Sequence, residues 1–250
     1  MIDFHSHILP QIDDGAQNVK VSLDMLSESY RQGVRTIVAT PHCRITNEQD
    51  IDNFLEKREK SYDMLKKAMA TDKRIFPKIV LGCELQIAKN VHNFERLRTL
   101  CIENTNYILV EMPYEKWNED CYDFLYKLTL KGMRPIIAHI ERFLGKKKEF
   151  YNLYSLDLLY QVNADSFLSP FMKRNLPNLF EKGAIQLLGS DMHNTTRRAT
   201  HMKNAVERII KGYSQNLVDY MMTNAEKVLN NEKVEIVRFE KMSFFRKFKL

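Results

Sequence analysis

Nothing in these 250 residues approaches the roughly 18 consecutive apolar residues that a membrane-spanning helix requires, because charge interrupts every apolar run. No charged segment followed by an apolar stretch is found near residue 1, and the expectation is a cytoplasmic protein. The four cysteines, Cys43, Cys83, Cys101 and Cys121, form no CxxC pair and are too few for a disulfide framework in a chain this long. Six positions after them stand Gln49, Lys89, Tyr107 and Lys127, which excludes the Cys-x5-Arg loop of a cysteine phosphatase. Glycine-rich phosphate loops, HExxH and GxSxG are also absent, closing three further routes to phosphate or acyl chemistry. With eight glycines, seven prolines and no Gly-, Pro- or Ser-rich linker, residues 1–240 read as one domain, followed by a basic aromatic tail at 241–250.

What is present is an ordinary globular balance, 44% hydrophobic and 28% charged, which can bury a substantial core. The net charge of +6 is gathered into clusters such as Lys146-Lys147-Lys148 and Arg246-Lys247-Phe248-Lys249, so it does not by itself name a partner. Basic and aromatic residues do not recur at regular spacing, which argues against nucleic acid.

Short apolar runs alternate with helical patterns. Strands are expected at Ile2–His5, Thr36–Thr40, Ile79–Gly82, Tyr107–Glu111, Pro135–Ala138, Tyr160–Val162 and Ile185–Gly189. Between the first two, Val19, Leu23, Leu26 and Tyr30 share one helical face, and Gly33 is placed to stop that helix. Ile51, Phe54, Leu55, Tyr62, Leu65 and Met69 keep the same spacing, and Asn118–Lys131, Phe171–Lys182 and His201–Lys211 read as further helices. Seven strand–helix alternations predict a parallel sheet with helical crossovers.

The ends of those strands carry the chemistry. His5 and His7 stand two apart, so both can face one ion. Asp14 follows in a turn-like loop, His42 follows the second strand and Glu84 the third, and Glu111 closes the fourth. His139 follows the fifth, and Asp191 and His193 follow the last. Five of the seven histidines belong to this set, leaving only His92 and His201 outside it. In a β/α barrel the C-terminal strand ends converge on one mouth, whereas an open sheet spreads them in a line. The expected architecture is therefore an α/β fold, a distorted (β/α)7 TIM-like barrel.

Imidazole and carboxylate without thiolate suit manganese, iron or zinc. Nine candidates exceed the needs of one ion and suffice for two or three divalent ions. Asp14, Glu84, Glu111 and Asp191 supply −4 against +6 from three such ions, leaving +2 for a phosphate dianion. Arg142, three residues past His139, and Arg198, five past His193, add planar forks for phosphate oxygens, with Arg197 and Arg134 as weaker choices.

His5-x-His7, Asp13-Asp14-Gly15, Thr40-Pro41-His42, Gly82-x-Glu84, Ala138–Arg142 and Ser190–Asn194 resemble the PHP superfamily, named for polymerase and histidinol phosphatase. More narrowly, the chain is similar to the manganese-dependent tyrosine-protein phosphatases of bacterial capsule and exopolysaccharide clusters, from Met1 to about Asn230. The resemblance implies a PHP-type barrel with three metals bound by the nine residues above, and Arg142 and Arg198 as phosphate ligands. It further implies, as substrate, the phosphotyrosyl tail of a partner kinase that regulates polysaccharide synthesis. His42 is the one candidate for a general acid, and Glu141 for orienting a ligand.

Alternatives remain at this level. A histidinol phosphatase or other small-molecule phosphoesterase would prefer small alkyl phosphates, a nuclease ranks third, and a non-catalytic metal-containing binding module would hydrolyse nothing. The tail with Phe244, Phe245 and Phe248 among basic residues reads first as a frayed terminus, with peripheral contact with an anionic membrane as the alternative.

Overall fold

The computed structural model describes residues 1–88, 91–114, 117–144, 153, 156–170, 179–180 and 183–237. The helix expected at Phe171–Lys182, the lysines at 146–148 and the tail at 241–250 lie wholly or largely outside them.

Among the described residues nine parallel strands form the core of the fold: β1 (Ile2–Ser6), β2 (Thr36–Ala39), β3 (His42–Cys43), β4 (Lys78–Leu81), β5 (Glu84–Gln86), β6 (Tyr107–Glu111), β7 (Arg134–Ile137), β8 (Leu159–Asn163) and β9 (Leu187–Gly189). They pair in the orders β1-β2-β4 and β3-β5-β6-β7-β8-β9. β2 and β3 are one stave interrupted at Thr40–Pro41, and β4 and β5 another interrupted at Gly82–Cys83. The backbone ladder crosses both gaps, with Gly82 N–H donating to the Ala39 carbonyl and Glu84 N–H to that of Pro41. Counted this way there are seven staves, as the alternation predicts. The sheet curls until its edges meet: Asp191 N–H donates to the His5 carbonyl at 2.8 Å, His7 N–H donates to Met192 at 2.9 Å, and Ser6 bridges Met192 in parallel.

The chain closes in this way because it offers two apolar surfaces. Phe4, Val38, Val80, Tyr107, Leu109, Ile136, Leu159 and Leu187 come from all seven staves yet form one cluster, which only the inside of a barrel permits. The outer faces of the same strands, including Ile37, Ile79, Ile108, Ile137 and Leu188, pack against the helices. Helix α1 (Val19–Arg31) starts where the Asn18 side chain accepts from Val21 N–H, and it stops before Gly33, whose φ of 92° favours glycine. Helix α2 (Glu48–Thr71) is capped by Asn47 and buries Ile51, Phe54 and Leu65. Helices α3 (Glu119–Leu130), α4 (Ala164–Leu168) and α5 (Met202–Gly212) continue the outer layer. Helix α6 (Gln215–Leu229), which periodicity did not single out, sends Ala225 and Val228 into the inner cluster and plugs the N-terminal end of the barrel.

Most strand boundaries differ from the sequence expectation by one or two residues. The larger difference is that His42 and Glu84, expected just past their strands, lie in the short continuations β3 and β5, where they stand opposite one another in register.

Candidate metal centre

All nine candidate ligands meet at the C-terminal mouth. His5 Nε2 and His7 Nε2 are 3.1 Å apart, and both approach Glu84 Oε2, at 3.4 and 3.5 Å. They also approach Asp191 Oδ1, at 3.7 and 3.5 Å. His42 Nδ1 lies 2.9 Å from Glu84 and its Nε2 3.4 Å from Asp14. His193 Nε2 is likewise 3.4 Å from Asp14. His139 Nε2 sits between Glu84 Oε1 at 2.8 Å and Glu111 Oε1 at 3.6 Å. Three overlapping groups have ligand atoms close enough to share an ion: His7-Asp14-His42-His193, His5-His7-Glu84 and His42-Glu84-Glu111.

Backbone geometry helps to assemble them. His139, with φ 35° and ψ 51°, and Asp191, with φ 53°, both adopt the left-handed conformation that non-glycine residues avoid. Such strain persists only where the surroundings over-determine it, and here it turns both side chains into the mouth. Gly15 admits no side chain, since a Cβ there would lie 2.2 Å from the His7 carbonyl oxygen.

A chain of amides sets the protonation pattern. Asn163 Nδ2 donates to Asp191 Oδ2 at 2.9 Å, and a carboxylate can only accept there, so the Asn163 amide has one orientation. Its oxygen accepts from Gln161 Nε2 at 2.8 Å, which leaves Gln161 Oε1 to accept from His139 N–H at 2.9 Å. His5 Nδ1, 2.9 Å from that same oxygen, must then carry the proton, and its Nε2 lone pair faces the cluster. Asp13 does the same for His7, with Oδ2 2.7 Å from Nδ1. Asp13 also accepts from the Gly15 and His42 amides, so the Asp pair divides its work: Asp13 orients while Asp14, whose side chain is 63% exposed, stands on the rim.

The charges are mutually dependent. Burial raises the carboxyl of Glu84, but the imidazoles of His5, His139 and His42 outweigh it and hold the group well below its usual range. Asp191 is lowered in the same way by His5, His7 and Arg142. Burial lowers His7, but Asp13, Asp191 and Glu84 hold it well above 6.5. Burial, with His7 and Arg198 close by, pushes His193 down to about 4, leaving the neutral ring that a metal requires. Glu84 Oε2 and His193 Nε2, both turned to the cluster, are buried yet make no hydrogen bond. Such orphaned atoms are costly unless something else satisfies them, and a set of imidazole and carboxylate donors fits divalent cations.

Two guanidinium groups cover Asp191. Arg142 Nη2 pairs with Oδ2, and its Nη1 donates to the Tyr114 hydroxyl at 2.7 Å. Arg198 Nη2 pairs with Oδ1 at 2.9 Å and also approaches Asp14. Of the adjacent pair Arg197 and Arg198, it is Arg198 that reaches these carboxylates. Arg134 bonds the Tyr107 hydroxyl and Asn231 at the far end of the barrel. Glu141 does not touch a candidate ligand; buried, with its carboxyl raised to about 7 by that burial, it accepts from Asn163 N–H and braces the amide chain.

Sequence reasoning missed Asp13, Gln161, Asn163 and Tyr114. Gln161 and Asn163 did carry a signal, being amides two apart in an otherwise apolar strand, hence on one face. Asp13 and Tyr114 carried none that separates them from other loop residues.

Proteins already characterised share this fold. The chain is 33% identical over 243 residues to the tyrosine-protein phosphatase YwqE of Bacillus subtilis, covering 94% of this chain and 93% of that one. It is 29% identical over 250 residues to the tyrosine-protein phosphatase CpsB of Streptococcus pneumoniae, covering 93% and 99%. The crystal structures of YwqE and CpsB, described as unique metal-dependent tyrosine phosphatases, superpose with a TM-score of 0.79 at 28% identity, over 96% of this chain and 100% of the matched one. Histidinol phosphate phosphatase from Lactococcus lactis, complexed with zinc, histidinol and phosphate, shares the fold alone, at 13% identity and a TM-score of 0.54 over 84% and 92%. Residues 1–230 match the family described as capsular polysaccharide synthesis, CpsB/CapC. With the match spanning the whole barrel and every residue of the mouth, this chain belongs to the CpsB/CapC family.

Proposed function

We propose that the protein is a metal-dependent phosphatase that removes phosphate from tyrosine in proteins of capsular or exopolysaccharide synthesis. The observation that carries this reading is the convergence of nine His, Asp and Glu side chains at one mouth, seven of them in three overlapping ion-sized groups, beneath two guanidinium forks. His5, His7, Asp14, His42, Glu84, Glu111, His139, Asp191 and His193 are the proposed ligands. Manganese is the proposed ion, with iron and zinc as alternatives. Held there, divalent ions supply charge neutralisation and water activation at neutral pH.

The chain's own residues do the rest. Arg142 and Arg198 bind phosphate oxygens, exchanging their contacts with Asp191 for the more highly charged ligand. Gln161 and Asp13 hold His5 and His7 in the tautomer that leaves Nε2 free. A phenol of pKa about 10 is a better leaving group than an alkyl alcohol, which lessens the demand for an acid. His42, with a ring nitrogen turned to each of two ion groups, is better placed to hold ions than to donate a proton.

The test is hydrolysis by metal-stripped protein with Mn²⁺ returned, on a phosphotyrosyl peptide, a phosphoseryl peptide and histidinol phosphate. Manganese-dependent release from phosphotyrosine alone is expected, and Arg142→Ala is expected to raise KM and lower kcat, since a phosphate ligand acts before and during the transition state. Turnover of histidinol phosphate alone would keep the centre and discard the protein substrate.

The reading includes the phosphotyrosyl tail of a bacterial kinase as substrate and a cytoplasmic location near the membrane, with residues 241–250 touching anionic lipid. The sequence's basic aromatic tail supports the last part. Vesicle binding that survives removal of those residues would end it.

A further inference from the structure

Beside the metal centre a cleft of about 570 Å³ opens between the loop at residues 12–14, β3 and the first half of α2. It shares Asp14 and His42 with the centre, and its other walls include Ile12, Arg44, Asp50 and Phe54. Phosphate or a phenol ring would leave most of this volume empty, whereas pockets of 300–1,000 Å³ hold ligands of several groups.

The charges lining the cleft are unevenly committed. Asp13 is fully occupied by His7 and two backbone amides. Asp50 Oδ2 accepts from the Thr46 amide, the Thr46 hydroxyl and Asn47 Nδ2, at 2.7, 2.7 and 3.1 Å. Lys57 gives one proton to the Ile12 carbonyl. Arg44, two residues past His42, is exposed and makes no hydrogen bond or ion pair with any described residue. Asp14 pairs with His42, His193 and Arg198 on the rim of the centre. Each carboxylate of the cleft thus has a partner among the described residues, whereas the Arg44 guanidinium has none.

We infer that this cleft is a subsite for a peptide acid: it takes a Glu or Asp side chain next to the phosphorylated tyrosine, with Arg44 as the recognising group. The inference rests on the phosphatase reading and deepens it, because a small phosphoester would have nothing to place there.

The test compares kcat/KM of the manganese-loaded protein on two phosphotyrosyl peptides, one flanked by Glu and the other by Lys, with phenyl phosphate alongside. A Glu-over-Lys preference of about tenfold is expected, the lower end for a hydrogen bond to a charged group. Arg44→Glu is expected to abolish or invert that ratio. Lys233→Glu makes the same charge change at the opposite end of the barrel, beyond Tyr107, and should leave the ratio unchanged. A wild-type ratio near one, or an equal shift from both variants, would overturn the subsite. Failure to hydrolyse phenyl phosphate and both peptides would overturn the phosphatase reading, and the subsite with it.

Discussion

Glu84→Gln is expected to lower turnover by about a thousandfold, the upper end of what losing one electrostatic stabiliser costs an enzyme. Glu84 lies among four imidazoles of the mouth. Its carboxylate approaches His5, His7, His42 and His139, and it takes part in two of the three ion-sized groups. Glutamine keeps the shape and removes the charge, so ion affinity falls at both groups. It also removes the anion that offsets neighbouring imidazoles, which hold Glu84 well below the usual carboxylate range. Metal content measured by mass spectrometry should fall by one ion or more. The thermal stabilisation gained on adding Mn²⁺ should shrink with it, because a ligand stabilises only in proportion to its occupancy. Full metal content with unchanged turnover would remove Glu84 from the centre.

Gly189→Ala is expected to destabilise the fold and disable the site together, though residue 189 carries no functional group. A Cβ there would lie 2.6 Å from His5 Cβ, 2.8 Å from Gln161 Nε2 and 2.9 Å from His5 N. Neither partner can yield cheaply, since His5 is in β1 and Gln161 anchors both His5 and His139. Overpacking of this kind costs about 2–3 kcal/mol. For a chain of this size that corresponds to a fall in Tm of roughly 5–10 °C. The activity loss should exceed what the lost stability explains at 25 °C, since the displaced groups set the orientation of two proposed ligands. A variant with wild-type Tm and turnover would mean that β1 and β9 do not approach this closely.

The site was legible in the sequence because a β/α barrel makes spacing meaningful. Each strand ends at the same face, so a His, Asp or Glu just past an apolar run is directed to one mouth. His5, His7, Glu111 and Asp191 needed no more than that rule, and Arg142 followed from its distance to His139. The seven staves could likewise be counted from the alternation of apolar runs, although the continuations at His42 and Glu84 were too short to read as strands. Helix α6 was not singled out by periodicity, and its buried side chains divide between the outer cluster, through Leu217, Val218 and Met221, and the inner one, through Ala225 and Val228.

By itself, then, the sequence determined the barrel, the order of its staves and the ligand types gathered at one end, all consequences of local period and residue chemistry. Tertiary structure alone decided which neighbour of each pair acts: Asp13 orienting His7 with Asp14 on the rim, and Arg198 in place of Arg197 on Asp191. It also decided the tautomer of His5, through an amide chain running from Asp191 by way of Asn163 and Gln161. These choices depend on partners as far apart in sequence as His5 and Gln161, separated by 156 positions. Hydrogen bonds discriminate between adjacent residues over tenths of an ångström, and that discrimination exists only once the barrel has closed.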